Sequence, residues 1–409
     1  MRISSSSIFD SNVSLLNQQN DKMLHTQQQL GTGRRMLTPA DDPYASARAL
    51  EISQSDSANS QFEVNRNAVK HTASTAEGIL KGVIELLQDV RTSAVQDGSG
   101  VLTPEDKQAL GEDLRGRFDE LVGLANSTDG VGNYLFSGYQ GRTLPFVLNS
   151  KGVQYAADDG QRMIQVDSSR QIAASDNGAD IFMRIKNGNG QFVVQSSPNN
   201  EGTGITSQGV VTDRKLLTSQ NYQVKFFVEQ KAGLPPETTY DILNSTTGEV
   251  LSTCSPYKSG HVIGFDGMQF DISGAPSDGD TFNITPSINE SVFTTMQDLI
   301  SALDSANPQG GGAATAQYTN HVNRALNNID HAIENVSTIR TSLGSRLREM
   351  DSLHETGEDL GLQYKKKLSE LQDVDFNKAV SDLNQQQTSL TAAQKSFKQV
   401  SDLSLFNYM

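Results

Sequence analysis

One cysteine and six histidines bound the chemistry open to this chain of 409 residues. Cys254 stands alone, so neither an internal disulfide nor a cysteine-rich metal centre can form within the chain. His354-Glu355-Thr356-Gly357-Glu358 opens like a zincin helix but lacks the second histidine, which must lie one turn on to share a zinc ion. His321 and His331 are ten residues apart, too far to share one helical face at ligand spacing. Gly31-Thr32-Gly33 and Gly202-Thr203-Gly204 have neither the third glycine nor the strand-to-helix setting of a dinucleotide loop. Neither a phosphate-binding Gly-x-x-x-x-Gly-Lys-Ser/Thr nor a Gly-x-Ser-x-Gly elbow occurs. Asn244-Ser245-Thr246 fits a glycosylation sequon, a pattern short enough to arise by chance. No catalytic residue, cofactor or metal is expected, and the chain does not read as an enzyme.

What remains is the chemistry of burial. In the stretch from Asp375 to Met409, Phe376, Val380, Leu383, Gln387, Leu390, Gln394 and Phe397 recur at alternating steps of four and three. That spacing winds one stripe down an α-helix that has nothing of its own to bury it against. The glutamines in the stripe cost stability but restrict register and partner. At the other end Phe9, Leu16, Met23, Leu30 and Leu37 fall seven apart on a surface rich in Gln, Asn and Ser. Each seam is weak, so both ends are expected to order only when chains assemble.

The elements between them follow from composition and punctuation. Hydrophobic residues make up 35%, aromatics 6%, and Trp is absent, which suits long helices burying narrow stripes better than one large core. Asp42-Pro43 reads as an N-cap with proline at the first helical position. From Ile52 to Ala94 an apolar row keeps its steps of three and four, so a helix over Pro43–Gln96 is expected, about 80 Å long at 1.5 Å per residue. Thr103-Pro104-Glu105-Asp106 starts a second helix, due to end near Asn126. Between Arg142 and Ser287 the period becomes alternating. The runs IFMRI, QFVV, YQVKFFV, VIGF and MQFDI read as strands, with hairpin turns at Asn187-Gly188 and Asp266-Gly267. Pro235-Pro236 marks an exposed loop. Helical spacing returns at Ser291 and runs from Val322 to Val374, where the stripe changes phase and a break is expected at Asp373-Val374-Asp375. The fold expected is mainly α with an all-β insertion. A long antiparallel helical rod is built from both ends of the chain, with the β domain at its tip. The boundaries are 1–40 with 375–409 for terminal helices disordered in the monomer, 41–141 with 288–374 for the rod, and 142–287 for the β-rich outer domain.

Net charge is −15 and pI about 4.8, which disfavours a nucleic-acid surface or attachment to an anionic membrane. No run approaches 18 apolar residues, so no membrane span is expected, and the N-terminus shows no cleaved secretory signal. By these signs alone the chain reads as cytoplasmic. Arg34-Arg35 and Lys365-Lys366-Lys367 read as solvated faces.

Several stretches resemble the flagellin superfamily of bacterial axial proteins. LGTGRRMLTPADDPYASA resembles its N-terminal signature and RTSLGSRLREMDSL its C-terminal rod. NYLFSGYQG (133–141), VQYAADDGQRMIQVDSS, and the tail DLNQQQTSLTAAQKSF leading into LSLFNYM (403–409) resemble one branch, the flagellar hook-associated protein 3 family of hook–filament junction proteins. That resemblance implies a structural subunit exported unfolded through the flagellar type III apparatus, hence secreted without a cleaved signal. It would sit in the extracellular flagellum as an adaptor between hook and filament. Its implied partners are further copies of itself, hook-associated protein 1, flagellin and a flagellar export chaperone, for which an exposed amphipathic tail is a natural docking site. The residues expected to carry assembly are Leu16, Met23, Leu30, Phe376, Val380, Leu383, Leu390 and Phe397, with Leu405 and Phe406 in the closing tail. A bulk flagellin is the alternative. A secreted enzyme or binding module on the β insertion is the third reading, favoured if a pocket with convergent carboxylates or aromatics lies there.

Overall fold

The computed structural model describes residues 5–98, 103–230, 236–305 and 311–402. Its described helices are α1 (Ser5–Thr32), α2 (Pro43–Gly98), α3 (Pro104–Ala125), α4 (Gly178–Phe182), α5 (Val292–Ser305), α6 (Gly311–Gln372) and α7 (Phe376–Asp402), and all long strand runs fall between α3 and α5. The mainly helical chain with an all-β insertion is thus as expected. The residues divide into two compact units, Met1–Arg66 with Asp351–Met409, and Asn67–Met350. These divisions fall inside α2 and α6 rather than at 40 and 375, because the densely apolar stripe starts at Val69 and ends at Met350.

In the larger unit, Val69, Ala73, Ala76, Leu80, Val83, Leu87, Val90 and Ala94 line one face of α2 at steps of four and three, and all are buried. Thr103 caps α3: its hydroxyl accepts the Asp106 amide while the Asp106 carboxylate accepts the Thr103 amide at 3.1 Å, a reciprocal capping box. Leu114, Phe118 and Leu121 of α3, Phe293, Met296 and Leu299 of α5, and Val322, Ile329 and Val336 of α6 complete the same core.

Phe146, Val153, Ile181, Phe182 and Ile185 also enter that core. The Phe182 ring lies 5.3 Å from Phe146 and 5.9 Å from Phe293. In packing terms the residues from 142 to 186 therefore belong with the helices, and the insertion's own core starts at Phe192 rather than Arg142. The run IFMRI is a further departure from expectation. Asn177 caps a helical turn by accepting the Ala179 amide at 2.8 Å, and Ile181 and Phe182 follow inside α4. Only Ile185–Lys186 is strand, pairing with Asn289–Glu290. Asn187-Gly188 is consequently not a hairpin turn between adjacent strands. The Asn187 side chain instead accepts the Ile288 amide and donates to Glu290, both at 3.0 Å, where the chain leaves the helices.

The second core belongs to a five-stranded antiparallel sheet, in the order 250–256, 237–244, 222–229, 281–286, 192–196. Tyr222, Val224 and Phe226 alternate inward along the central strand while Lys225 points out. Phe226 meets Phe282 and Tyr257 edge-on at 5.6 and 5.1 Å. Strands 262–265 and 268–273 form the expected hairpin over Asp266-Gly267, whose φ values of 45° and 76° are those of a type I′ turn. Asn244 of the sequon is buried and caps its own turn, accepting the Thr246 amide at 3.0 Å. Pro235 lies outside the described residues, and Pro236 is exposed.

A second face of α6 fixes the insertion to the helices. Gln317 donates to the Pro198 and Asn200 carbonyls, and Asn320 donates to Gly204 while accepting the Thr206 amide, all at 2.9 Å. Asn328 accepts the Gly188 amide at 3.2 Å and donates to Glu290 at 2.9 Å. His331 Nε2 lies 2.8 Å from the Gly188 carbonyl and so must carry the proton. Asn335 donates to the Asp180 and Ile181 carbonyls. These positions repeat at helical spacing beside the apolar row. Though polar, they do not face solvent but satisfy backbone groups of the irregular segments that α6 covers.

Candidate assembly surface

The expected assembly residues lie on α1 and α7, which run antiparallel in the smaller unit with Cα atoms within 8 Å of each other. The register is fixed at both ends. Phe9 and Phe397 have ring centroids 5.2 Å apart, and Arg34 pairs with Asp373 at the other end.

The partly or fully buried positions of α1 include Asn12, Leu16, Gln19, Met23, Thr26 and Leu30, at steps of four and three, flanked by Val13, Asn20, His25 and Gln29. On α7 they include Ala379, Leu383, Gln386, Leu390, Ala393 and Phe397, with the same steps. Each helix therefore presents a bulky row and, interleaved with it, a row of small or polar residues. Sequence reading found the bulky rows and missed the second. The signal was present as a seven-residue spacing of Asn12, Gln19 and Thr26, and of Ala379, Gln386 and Ala393. Small second rows let two backbones approach closely, but they bury little apolar area. Among the described side chains of this pair only Thr26, Ala379 and Leu390 are buried, while Leu16, Met23, Leu30, Leu383 and Phe397 stay half-buried.

Phe376 and Val380 depart from the expected stripe: they are 57% and 47% exposed. Ala379 takes the inward position, and Gln387 and Gln394 face outward as well, their places in the seam held by Gln386 and Ala393. The reason is geometric. Phe376 opens α7 directly after the chain break, and the inward track of the helix passes one residue before Val380. Phe9, Leu15 and Leu24 of α1 are likewise exposed. Leu405 and Phe406 lie outside the described residues.

Two short segments join this pair to α2 and α6. The expected break occurs at 373–375. There Arg35 N–H donates to Gln372 O at 2.7 Å and Val374 N–H to Gly33 O at 2.9 Å, with Gly33 at φ +70°. Asp42 accepts the Ala45 amide at 3.0 Å as the N-cap of α2. Asp41 accepts the Leu37 and Thr38 amides at 2.8 and 2.9 Å, and the Thr38 and Leu37 bonds hold its pKa down at about 2. Beyond the joint, Asn59 of α2 donates to Gly357 O of α6 at 2.8 Å, and the guanidinium of buried Arg66 occupies the space that a Cβ on Gly357 would need.

Among the described residues of the β insertion lies a hollow of about 600 Å³, lined by Phe227, Glu229, Glu237, Asp241, Cys254 and Asp278 among others. Two of its carboxylates are committed to backbone: Asp241 accepts the Cys254 amide at 2.7 Å and Asp278 the Val228 amide at 3.1 Å. Among the described residues no His/Cys/Asp/Glu group is placed to hold a metal, and no helix is long and apolar enough to cross a membrane.

Comparison with known proteins bears on these features. The bacterial flagellin N-terminal helical region matches residues 3–141 and the flagellin C-terminal helical region residues 326–409. Flagellar hook-associated protein 3 of Salmonella typhimurium is 27% identical over 406 residues, covering 99% of both chains. Flagellin B of Vibrio cholerae is 26% identical over 372 residues, 83% of this chain and 87% of that one. The crystal structure of flagellar hook-associated protein 3 from Legionella pneumophila superposes with a TM-score of 0.72 at 30% identity, covering 78% of this chain and 98% of that one. With a sequence relative matched over nearly the whole of both chains and a solved structure matched over 98% of its own length, this chain belongs to the flagellar hook-associated protein 3 family.

Proposed function

We propose that this chain is a non-enzymatic structural subunit of the bacterial flagellum that joins hook to filament and polymerises through α1 and α7. The observation that carries the reading is the incomplete burial of the terminal pair in a protein alike over its full length to hook-associated protein 3. Phe9, Leu15, Leu24, Phe376 and Val380 present apolar surface outward from a pair whose inner seam is itself narrow. Each Å² withdrawn from water at contact with neighbouring copies contributes about 25 cal/mol, so assembly adds the burial that the terminal pair lacks by itself. In this reading the neighbours are further copies of the chain, hook-associated protein 1 on one side and flagellin on the other. An export chaperone holds the amphipathic C-terminal helix before secretion, and the site of action is extracellular.

Antibody labelling of isolated flagella tests the proposal. The expected result is a short labelled zone between hook and filament. Label distributed along the whole filament would replace this reading with that of a bulk flagellin, and absence from flagella would remove both.

A further inference from the structure

The two apolar cores of the larger unit share no residue among those described. The β insertion meets α6 largely through polar groups. Gln317 donates to the Pro198 and Asn200 carbonyls, and Asn320 binds both the Gly204 carbonyl and the Thr206 amide. A hollow of about 20 Å³ sits among Asn320, Asn323 and Asn327 of α6 and Val193, Thr206 and Ser207 of the insertion. The chain crosses between helices and insertion by a narrow neck, Asn187-Gly188-Asn189-Gly190 on one side and Pro286-Ser287-Ile288 on the other. Asn187 N–H donates to Ile288 O at 3.2 Å and Ser287 N–H to Gln191 O at 2.9 Å, so the two crossings are tied to each other. Gly188 and Gly190 stand at φ +63° and +81°, and a Cβ on Gly188 would meet Phe192 O. Gly188 is also clamped. Its amide donates to Asn328 Oδ1 at 3.2 Å, and its carbonyl accepts from His331 Nε2 and Gln208 Nε2, both at 2.8 Å.

We propose that the β insertion is a hinged module. Residues 187–190 and 286–288 are its pivot, and the polar face of α6 from Gln317 to His331 is a latch that opens while both cores stay folded. Each latch bond is exchanged for a bond to water on opening, so its net contribution is small beside the burial that holds either core. Polar interfaces within a chain leave relative motion as the default, and parts joined by few apolar contacts open below the free energy of global unfolding. The pivot and the latch act together at Gly188. Asn328 and His331 grip it from α6 while Gln208 grips it from the insertion, so a turn there breaks bonds on both sides at once. In the role given above, a subunit with unlike neighbours on its two sides gains an outer module able to settle against either. The hinge itself does not depend on that role.

Spin labels on native Cys254, exposed in the insertion, and on Thr338→Cys, exposed on α6, measure the separation of the two parts in the free full-length subunit by double electron–electron resonance. Gln317→Ala with Asn320→Ala removes latch bonds that do not touch Gly188. One dominant distance is expected with the latch intact and a second one, in about a tenth of molecules or more, in the variant. Hydrogen exchange supplies another readout. The Gly188 amide, bonded to neither substituted residue, is expected to exchange about tenfold faster in the variant, while residues 222–226 and 322–336 keep their protection. Gln317→Ala alone is expected to give a smaller change of the same sign. A single distance that both variants leave unaltered overturns the proposal. Faster exchange confined to Thr206, whose amide Asn320 binds, overturns it as well, because one bond would then have been lost with nothing set in motion. Protection lost at 222–226 together with Gly188 also overturns it, because the insertion would then leave α6 only by unfolding. Both measurements are made without hooks or filaments, so they decide the hinge whether or not the chain joins the two.

Discussion

Arg35 donates through Nε and Nη2 to the carbonyl of Leu371, at 3.3 and 3.0 Å, and so caps the end of α6 from 336 residues away in sequence. The last carbonyls of a helix have no partner within it, and a cation there also complements the helix dipole. Arg35 is thus a cap rather than the solvated charge that the basic pair suggested. Arg35→Ala should destabilise the terminal unit by about 1 kcal/mol, the net worth of one hydrogen bond. Its signature is faster amide exchange at Val374, whose partner is Gly33 O. Wild-type exchange there would mean that the backbone pairing alone holds the joint.

Leu390 faces inward and Phe376 and Val380 face outward, so substitutions on the two sides should separate. Leu390→Asp places a charge in the seam. It should unfold the α1–α7 pair, leave the melting of the larger unit unchanged, and block incorporation at the hook. Phe376→Ser with Val380→Ser should leave the pair's helicity intact and still reduce incorporation. Circular dichroism with a motility assay checks both, and normal flagella from the Leu390 variant would refute the role given to the seam.

Two glycines inside α6 should respond oppositely to alanine. A Cβ on Gly344 meets nothing within 4 Å, so Gly344→Ala should stabilise by about 1 kcal/mol through helix propensity. At Gly357 the same Cβ would run into the guanidinium of Arg66, which is 3% exposed and has little room to move. Gly357→Ala should lose that gain and destabilise the smaller unit. Urea unfolding of both variants decides the matter, and equal stabilisation would show that Arg66 relocates freely.

Asn328 is buried and serves Gly188 N–H and Glu290 at once. Asn328→Ala leaves a buried amide and a carboxylate oxygen short of a partner, at a cost of about 1–3 kcal/mol. The loss should appear as a lower thermal midpoint of the larger unit, with the exchange of residues 187–189 raised first. An unchanged midpoint would mean that other groups take up those bonds.

The Leu37–Asp41 turn should respond to acid. The Asp41 carboxyl has its pKa lowered from 3.8 to about 2 by the Thr38 and Leu37 amides. A depressed acid favours the folded turn above its unfolded pKa and loses that contribution as pH falls through the folded one. Protection of the Leu37 and Thr38 amides should hold at pH 5 and decline between about 4 and 2. Asp41→Asn should remove that dependence, whereas an unaltered profile in the variant would assign it to another carboxylate.

The seven-residue spacings, the proline-marked helix starts, the break at 373–375 and the Asp-Gly hairpin were legible in the sequence because each depends on neighbours along the chain. Periodicity, caps and turn chemistry are local. Other features became visible only in three dimensions. The sequence placed Leu383, Leu390 and Phe397 on one stripe, but whether Val380 or Ala379 joins them depends on where a second helix lies. The run IFMRI has the composition of a strand, yet the Asn177 cap and the aromatic core around Phe293 draw it into a helical turn. Gln317, Asn320, Asn328 and Asn335 have the polarity of a solvent face until the backbone of the insertion packs on them. A residue's type sets what it can bond or bury, whereas the partner that makes use of it, often more than a hundred residues away, is supplied by the tertiary structure.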